Sequence, residues 1–131
     1  MDTRIRYKLP ATERLKSRKQ IGQLFAAGQQ FSHFPFRVYY LPANEQQHLQ
    51  VGVGVSNRLF KRAVDRNRIK RLMREAWRLN KQVLDEQLMA NGKRLSVFIL
   101  YTGKELPVFQ ETEQKLKGII ERLIKRTNEA A

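Results

Sequence analysis

The sequence predicts one α/β domain, an α+β fold of two layers in which helices cover a mixed sheet. Three observations carry this. Segments with helical spacing of apolar residues alternate with segments of strand spacing. One strand candidate is apolar on both faces, which suits a covered central strand. A chain of 131 residues, 41% of them hydrophobic, fits one compact core.

Residues 1–13 read as an irregular, basic arm, either tethered or mobile, with Pro10 interrupting any helix. Ser17 followed by Gln20 forms a capping box. A helix from Arg18 to Ala27 follows, with Gly28 as its C-cap. Ile21, Leu24 and Phe25 share one face of it. Gly22 weakens this helix by ~1 kcal/mol relative to Ala, and a close approach to a sheet would explain it. Phe36 to Leu41 alternates as a strand, with Phe36, Val38 and Tyr40 on one face and Arg37 and Tyr39 on the other. The polar stretch Pro42 to His48 suits a hairpin loop leading to a strand at Leu49–Val55. The odd positions of that strand are apolar. Gln50, Gly52 and Gly54 leave its other face nearly bare, open to another backbone or a ligand.

A long helix starts near Val64 and runs beyond Asn80 toward Leu88. Ile69, Leu72, Met73, Ala76 and Leu79 form its apolar arc. Arg66, Lys70, Arg74 and Arg78 form a row at four-residue steps, with Asn67, Arg71 and Lys81 beside it. Asn91-Gly92 marks a turn before the doubly apolar strand Leu95–Tyr101. A last helix from Val108 to Arg126 carries Leu116, Ile119, Ile120, Leu123 and Ile124, and residues 127–131 are expected to fray. The order is helix, two or three strands, helix, strand, helix.

The net charge is +14, and its distribution is more telling than its size. Residues 58–81 hold ten Lys or Arg against Asp65 and Glu75. Residues 4–19 hold seven against Glu13, and the rest of the chain is balanced. Such crowding costs stability through repulsion, and a polyanionic partner relieves it by counterion release. Arg outnumbers Lys seven to three in 58–81, and its planar fork suits phosphate. Asp65 is read as structural, either capping the helix start or orienting Arg62 or Arg68.

The same inventory disfavours several classes of function. The two histidines, His33 and His48, have no metal-ligand spacing and no nucleophile beside them. No phosphate-binding glycine loop joins a strand to a helix. No catalytic residue and no protein-bound metal is expected. The chain has no cysteine, no signal-like start and no apolar run of the ~20 residues a membrane span needs. A cytoplasmic protein without a membrane contact is expected. Tyr39 shares its strand face with Arg37, so Phe25 and Tyr39 are either core or a platform for an unstacked base. The pattern leaves both open.

At Arg66-Asn-Arg-Ile-Lys-Arg-Leu-Met-Arg-Glu-Ala-Trp77 the sequence resembles the bacterial ribonuclease P protein subunit family. Arg62-Ala63, Val51-Gly-Val-Gly-Val-Ser56, Phe36-Arg-Val-Tyr-Tyr40, Arg14-Leu15 and Phe25 extend the likeness, in order, across about residues 14–125. The resemblance implies a sheet of about four strands with three helices, like the second domain of a small-subunit ribosomal protein, with a left-handed βαβ crossover. It implies a role in removing the 5′ leader of precursor tRNA, with the chemistry and the Mg²⁺ held mainly by an RNA subunit and the substrate. Arg58, Lys61, Arg62, Arg66, Asn67, Arg68, Lys70, Arg71 and Arg74 are then the contact to that RNA. Ile21, Phe25, Arg37 and Tyr39 line the cleft for the single-stranded leader. Ile21 stands where many relatives carry an aromatic, and Asn57-Arg58 keeps one charge of the family's basic pair. No obligate protein partner is implied. The competing reading is a ribosomal-type or RNA-chaperone protein of the same fold without a processing role.

Overall fold

The computed structural model describes residues 11–15, 17–42 and 49–129. A short 3-10 turn, Ala11–Glu13, precedes α1 (Arg18–Ala27), β1 (Gln29–His33), β2 (Phe36–Pro42), β3 (Gln50–Val55), α2 (Ala63–Asn80), α3 (Gln82–Ala90), β4 (Leu95–Tyr101) and α4 (Phe109–Glu129). The sheet order is β1-β2-β4-β3. β2 runs antiparallel to both β1 and β4, while β3 runs parallel to β4.

The doubly apolar β4 takes the centre, as its composition requires, and this overturns the expected hairpin. The strands at 36–42 and 50–55 are not partners, because β4 lies between them. The hairpin is instead β1–β2, turning at Phe34-Pro35. β1 escaped the sequence reading because it is an edge strand with only Phe31 buried.

The crossover from β3 through α2 and α3 to β4 is left-handed. Val51 turns its side chain into the core shared with α2 and α4. Its carbonyl accepts from the Leu15 N–H at 2.8 Å, on the edge away from β4. For an L-residue these two directions fix the hand. Seen from the helices with β3 pointing up, β4 lies to the left, against the general right-handed rule.

Among the described residues four α-helices form where three were expected. The long central helix stops at Asn80 and does not continue to Leu88 as one rod. The Asn80 side-chain amide donates to the Ala76 carbonyl at 2.8 Å and to Glu113 at 3.0 Å. Such side-chain competition for an i−4 carbonyl bends helices. After the turn at Lys81, α3 buries Leu84 and Leu88. The apolar arc of α2 is also rotated from expectation: Trp77 is fully buried, whereas Leu79 is 47% exposed.

The described part of the arm is tethered, and the end of α4 is tied better than expected. Of the arm, residues 1–10 lie outside the described residues, but 11–13 are anchored. Thr12 accepts from Gln50 at 3.0 Å, Glu13 pairs with Lys81, and Arg14 bridges to Val51. At the other end α4 reaches Glu129 without fraying at 127. Thr127 is buried, and its hydroxyl donates to the Leu123 carbonyl at 2.9 Å.

Two details of α1 matter for the site. Ser17 caps it, accepting from the Gln20 N–H at 3.3 Å. Gly28 ends it, with an extended backbone (φ −74°) rather than a left-handed one. Its need for glycine is proximity, since a Cβ would meet the Leu24 carbonyl oxygen at 2.5 Å. Gly22, by contrast, faces open space, so the expected close approach to the sheet is absent there.

Two apolar clusters result. The main core lies between the sheet and the α2–α4 layer, around Val38, Ile69, Met73, Trp77, Ile99 and Leu116. A smaller one on the opposite face joins Leu15, Leu24 and Phe98, flanked by Ile21, Tyr39, Leu41 and Leu100. α1 covers only part of that second face.

Candidate nucleic-acid interface

The cationic strip begins in the loop after β3 and continues along α2. Arg58, Lys61, Arg62, Asn67, Arg68, Arg71 and Arg74 are exposed, and Lys70 and Arg66 are half-buried. Among the described residues, no carboxylate lies within ion-pair distance of Arg58, Lys61, Arg62, Arg66, Arg68, Lys70, Arg71 or Arg74. These eight cations are therefore charged without internal compensation, whereas Lys81, at the C-cap of α2, pairs with Glu13.

Its members are not equivalent. One Arg66 nitrogen donates to the carbonyls of Phe60 (2.7 Å) and Lys61 (2.8 Å), fastening the loop to the helix start. Arg66 is thus partly structural, which the motif alone did not reveal. Arg62 is the N-cap residue and offers no side-chain cap. Asp65 does not cap either; it sits in the first turn, where a negative charge suits the helix dipole. That keeps the structural role and drops both specific forms of it, since Asp65 holds neither Arg62 nor Arg68.

Arg74 marks where the strip meets the N-terminal segment. Its pKa is lowered, first by burial and second by the charge of Arg14. Arg14 lies beside β3 through its bridge to Val51. The sequence put Arg14 in the basic segment 4–19, just after the arm, but gave it no place beside α2. No local spacing links residues 14 and 74; only the parallel docking of the arm on β3 does.

The second feature is a cleft on the opposite face of the sheet. Register aligns Gln30, Tyr39, Phe98 and Gly52 in one row across the four strands, and Ser32, Arg37, Leu100 and Gly54 in the next. Phe25 projects from α1 over the first row. Its ring meets Tyr39 edge-on at 4.7 Å and Phe98 at 5.3 Å, yet it stays 48% exposed. Tyr39 is half-buried, so it is both part of the small cluster and open to the cleft. Arg37 is exposed and donates to the Gln30 side chain at 3.4 Å. Ile21 is half-buried against the Leu15–Leu24–Phe98 cluster.

Phe98 is the cleft residue that the sequence reading missed. A Cβ at Gly52 would meet its ring at 2.9 Å, and one at Gly54 at 2.8 Å. The bare glycine face of β3 therefore receives this ring and, at Gly52, the backbone of Leu15. Strand alternation could not identify Phe98, because β4 is apolar on both sides. The four predicted cleft residues do come together, and the strip and the cleft share the β3 edge.

Comparison with known proteins shows relatives of the same fold. The Ribonuclease P family model matches residues 9–124. The ribonuclease P protein component of Porphyromonas gingivalis is 35% identical over 117 residues, covering 88% of this chain and 85% of that protein. Its counterpart from Lactococcus lactis subsp. lactis is 38% identical over 109 residues, covering 83% and 86%. Among solved structures, the RNase P protein of Thermotoga maritima superposes with TM-score 0.68 at 25% identity, covering 84% of this chain and 96% of that one. The Staphylococcus aureus RNase P protein gives TM-score 0.70 at 20% identity, covering 85% and 94%.

Proposed function

The chain belongs to the ribonuclease P protein family, and from that premise we propose that α2 binds the ribonuclease P RNA while the aromatic cleft holds the 5′ leader of precursor tRNA. As a component of this endoribonuclease, the chain takes part in tRNA processing. The observation that carries the reading is the uncompensated strip of cations bordering, across the β3 edge, a cleft whose Phe25 ring is half open.

The division of labour follows from charge. Two polyanions must approach for one phosphodiester to be cut. A +14 protein lying between them screens their repulsion and releases counterions from both. Arg58, Lys61, Arg62, Asn67, Arg68, Lys70, Arg71 and Arg74 face the RNA subunit, and Arg66 both contacts it and holds the loop. Phe25 and Tyr39 present π-faces or edges to unpaired leader bases above the buried Phe98 ring, Arg37 offers charge to a leader phosphate, and Ile21 supplies apolar wall. Mg²⁺ held by the RNA subunit and the substrate would activate the water that hydrolyses the phosphodiester. The protein raises the local density of both RNAs without ligating the metal, acts in the cytoplasm and needs no further protein partner.

The test is reconstitution with a bacterial ribonuclease P RNA and a precursor tRNA at low Mg²⁺. The protein should accelerate leader removal, and the complex should prefer precursor over mature tRNA. Equal affinity for the two substrates would leave an RNA-chaperone role in its place. Cleavage by the protein alone with Mg²⁺ would contradict the division of labour.

A further inference from the structure

A second concave site lies away from both the α2 strip and the cleft. It is a cavity of about 300 Å³ where the last turns of α4 meet the start of β1, the end of β2 and the α3–β4 turn. This volume is at the lower end of ligand pockets, which span roughly 300–1,000 Å³. Tyr40 lines it, whereas its neighbour Tyr39 faces the cleft, so the two sites occupy opposite faces of the sheet.

Its chemistry is two-sided. Lys93, Arg94 and Arg126 line it, and no Asp or Glu does among the described residues. Exposed Pro42 supplies apolar wall, and the buried Leu88 and Leu95 close the floor behind it. The polar groups are held in place. The Tyr40 hydroxyl donates to the Gln29 side-chain oxygen at 2.7 Å and accepts from Arg126 at 3.4 Å. The Arg126 guanidinium also lies over the Phe31 ring at 4.8 Å, which fixes its plane. Lys93 donates to the Thr127 carbonyl at 2.6 Å and so stays at the rim. Arg94 is exposed, with no hydrogen bond or ion pair among the described residues. Three cations that face a small apolar-walled cavity, with no acid among its described lining residues, repel one another until an anion arrives.

We propose that this cavity is a nucleotide-binding site. A phosphate engages Arg94 and Arg126 at the rim beside Lys93, and the ring sits against Pro42 over the floor of Leu88 and Leu95. The nucleotide is either one unit of an RNA strand or a free mononucleotide; the chemistry recognised is the same. None of these residues belongs to the leader cleft or to the α2 strip, so the proposal stands or falls apart from the processing role.

The experiment is an NMR titration of the isotope-labelled full chain with AMP, with inorganic phosphate and with a short single-stranded RNA. AMP should shift the Gln29, Lys93 and Arg94 signals and the Leu88 and Leu95 methyls saturably. Inorganic phosphate should bind the same site more weakly, for want of a ring contact. Arg94→Ala, at an exposed position, should leave the fold intact and weaken AMP about tenfold, as one lost charge-assisted contact implies. If the RNA strand saturates the same signals, its nucleotide is the occupant; if it does not, the free mononucleotide is. Saturable AMP shifts confined to α2 and the cleft, equal affinity for AMP and phosphate, or an Arg94→Ala variant with unchanged affinity would each overturn the proposal.

Discussion

Replacing Phe25 with Ala separates the cleft's role in binding from its role in folding. A fully covered phenylalanine buries about 150–250 Å². Phe25 is 48% exposed, so roughly 100 Å² is hidden, or ~2.5 kcal/mol as an upper bound for folding. Alanine keeps part of that contact, and the two edge-on ring pairs add back a fraction of it. A net loss of about 1–2 kcal/mol leaves an ordinary domain folded. Binding should suffer differently. If one leader base stacks on this ring, precursor tRNA affinity falls by ~1–3 kcal/mol, roughly 5- to 150-fold. Mature tRNA has no leader and should bind the variant holoenzyme as it binds the parent. Equilibrium binding of both substrates, with a urea melt of the protein alone, gives the three numbers needed. Equal losses for precursor and mature tRNA, or no loss for either, would refute the placement of the leader beside Phe25.

Three further expectations follow from the same geometry. Arg68→Ala should weaken binding to the RNA subunit and lower its salt dependence without changing the melting temperature, whereas Arg66→Ala should lower both, because Arg66 also holds the Phe60 and Lys61 carbonyls; equal melting temperatures for the two variants would sink this distinction. Ile21→Phe should tighten precursor binding by about 1 kcal/mol by restoring an aromatic wall, read from the ratio of precursor to mature affinity, and an unchanged ratio would mean that Ile21 serves only the small cluster. The pKa of His33 is lowered from 6.5, first by burial, then by the charges of Arg122 and Lys115. The unfolded chain therefore takes up this proton first, so stability should be full above about pH 6.5 and decline as pH falls below it, and His33→Gln should remove that part of the decline in urea melts run from pH 7.5 to 5.

What the sequence disclosed depended on whether neighbours in the chain are neighbours in space. The helices at 18–27 and 109–129 and the strand at 36–42 were legible because their burial follows local periodicity, and the strand at 95–101 because it is apolar on both faces. The hairpin error came from treating consecutive strands as partners. Yet a strand apolar on both faces needs cover on both faces and a partner on each edge, and β4 met that need by entering between β2 and β3. β1 was silent because Gln29-Gln-Phe-Ser-His33 offers one apolar side chain to the core and polar ones to solvent. The cleft was legible as far as Phe25, Tyr39 and Arg37 lie on recognisable faces. Phe98 was hidden in a strand whose two sides look alike, and Arg14 was hidden because its proximity to Arg74 spans sixty residues.

That proximity also bears on how binding and folding are linked. Arginine stays protonated at any physiological pH, so the lowered pKa of Arg74 does not signal a switch. It registers a cost, the partial desolvation of one guanidinium and its repulsion by another. The fold bears this cost because Leu15 is buried on the cleft face and its N–H bonds to the Val51 carbonyl, which fixes Arg14 on the β3 edge near α2. A phosphate arriving there meets cations from both the arm and the helix and removes their repulsion as it binds. The folded state therefore binds the polyanion better than an unfolded chain in which the two arginines are far apart, and stability must rise with RNA concentration by mass action. The docking of Arg14 on β3 thus puts a cation of the N-terminal segment next to the α2 strip before any RNA arrives.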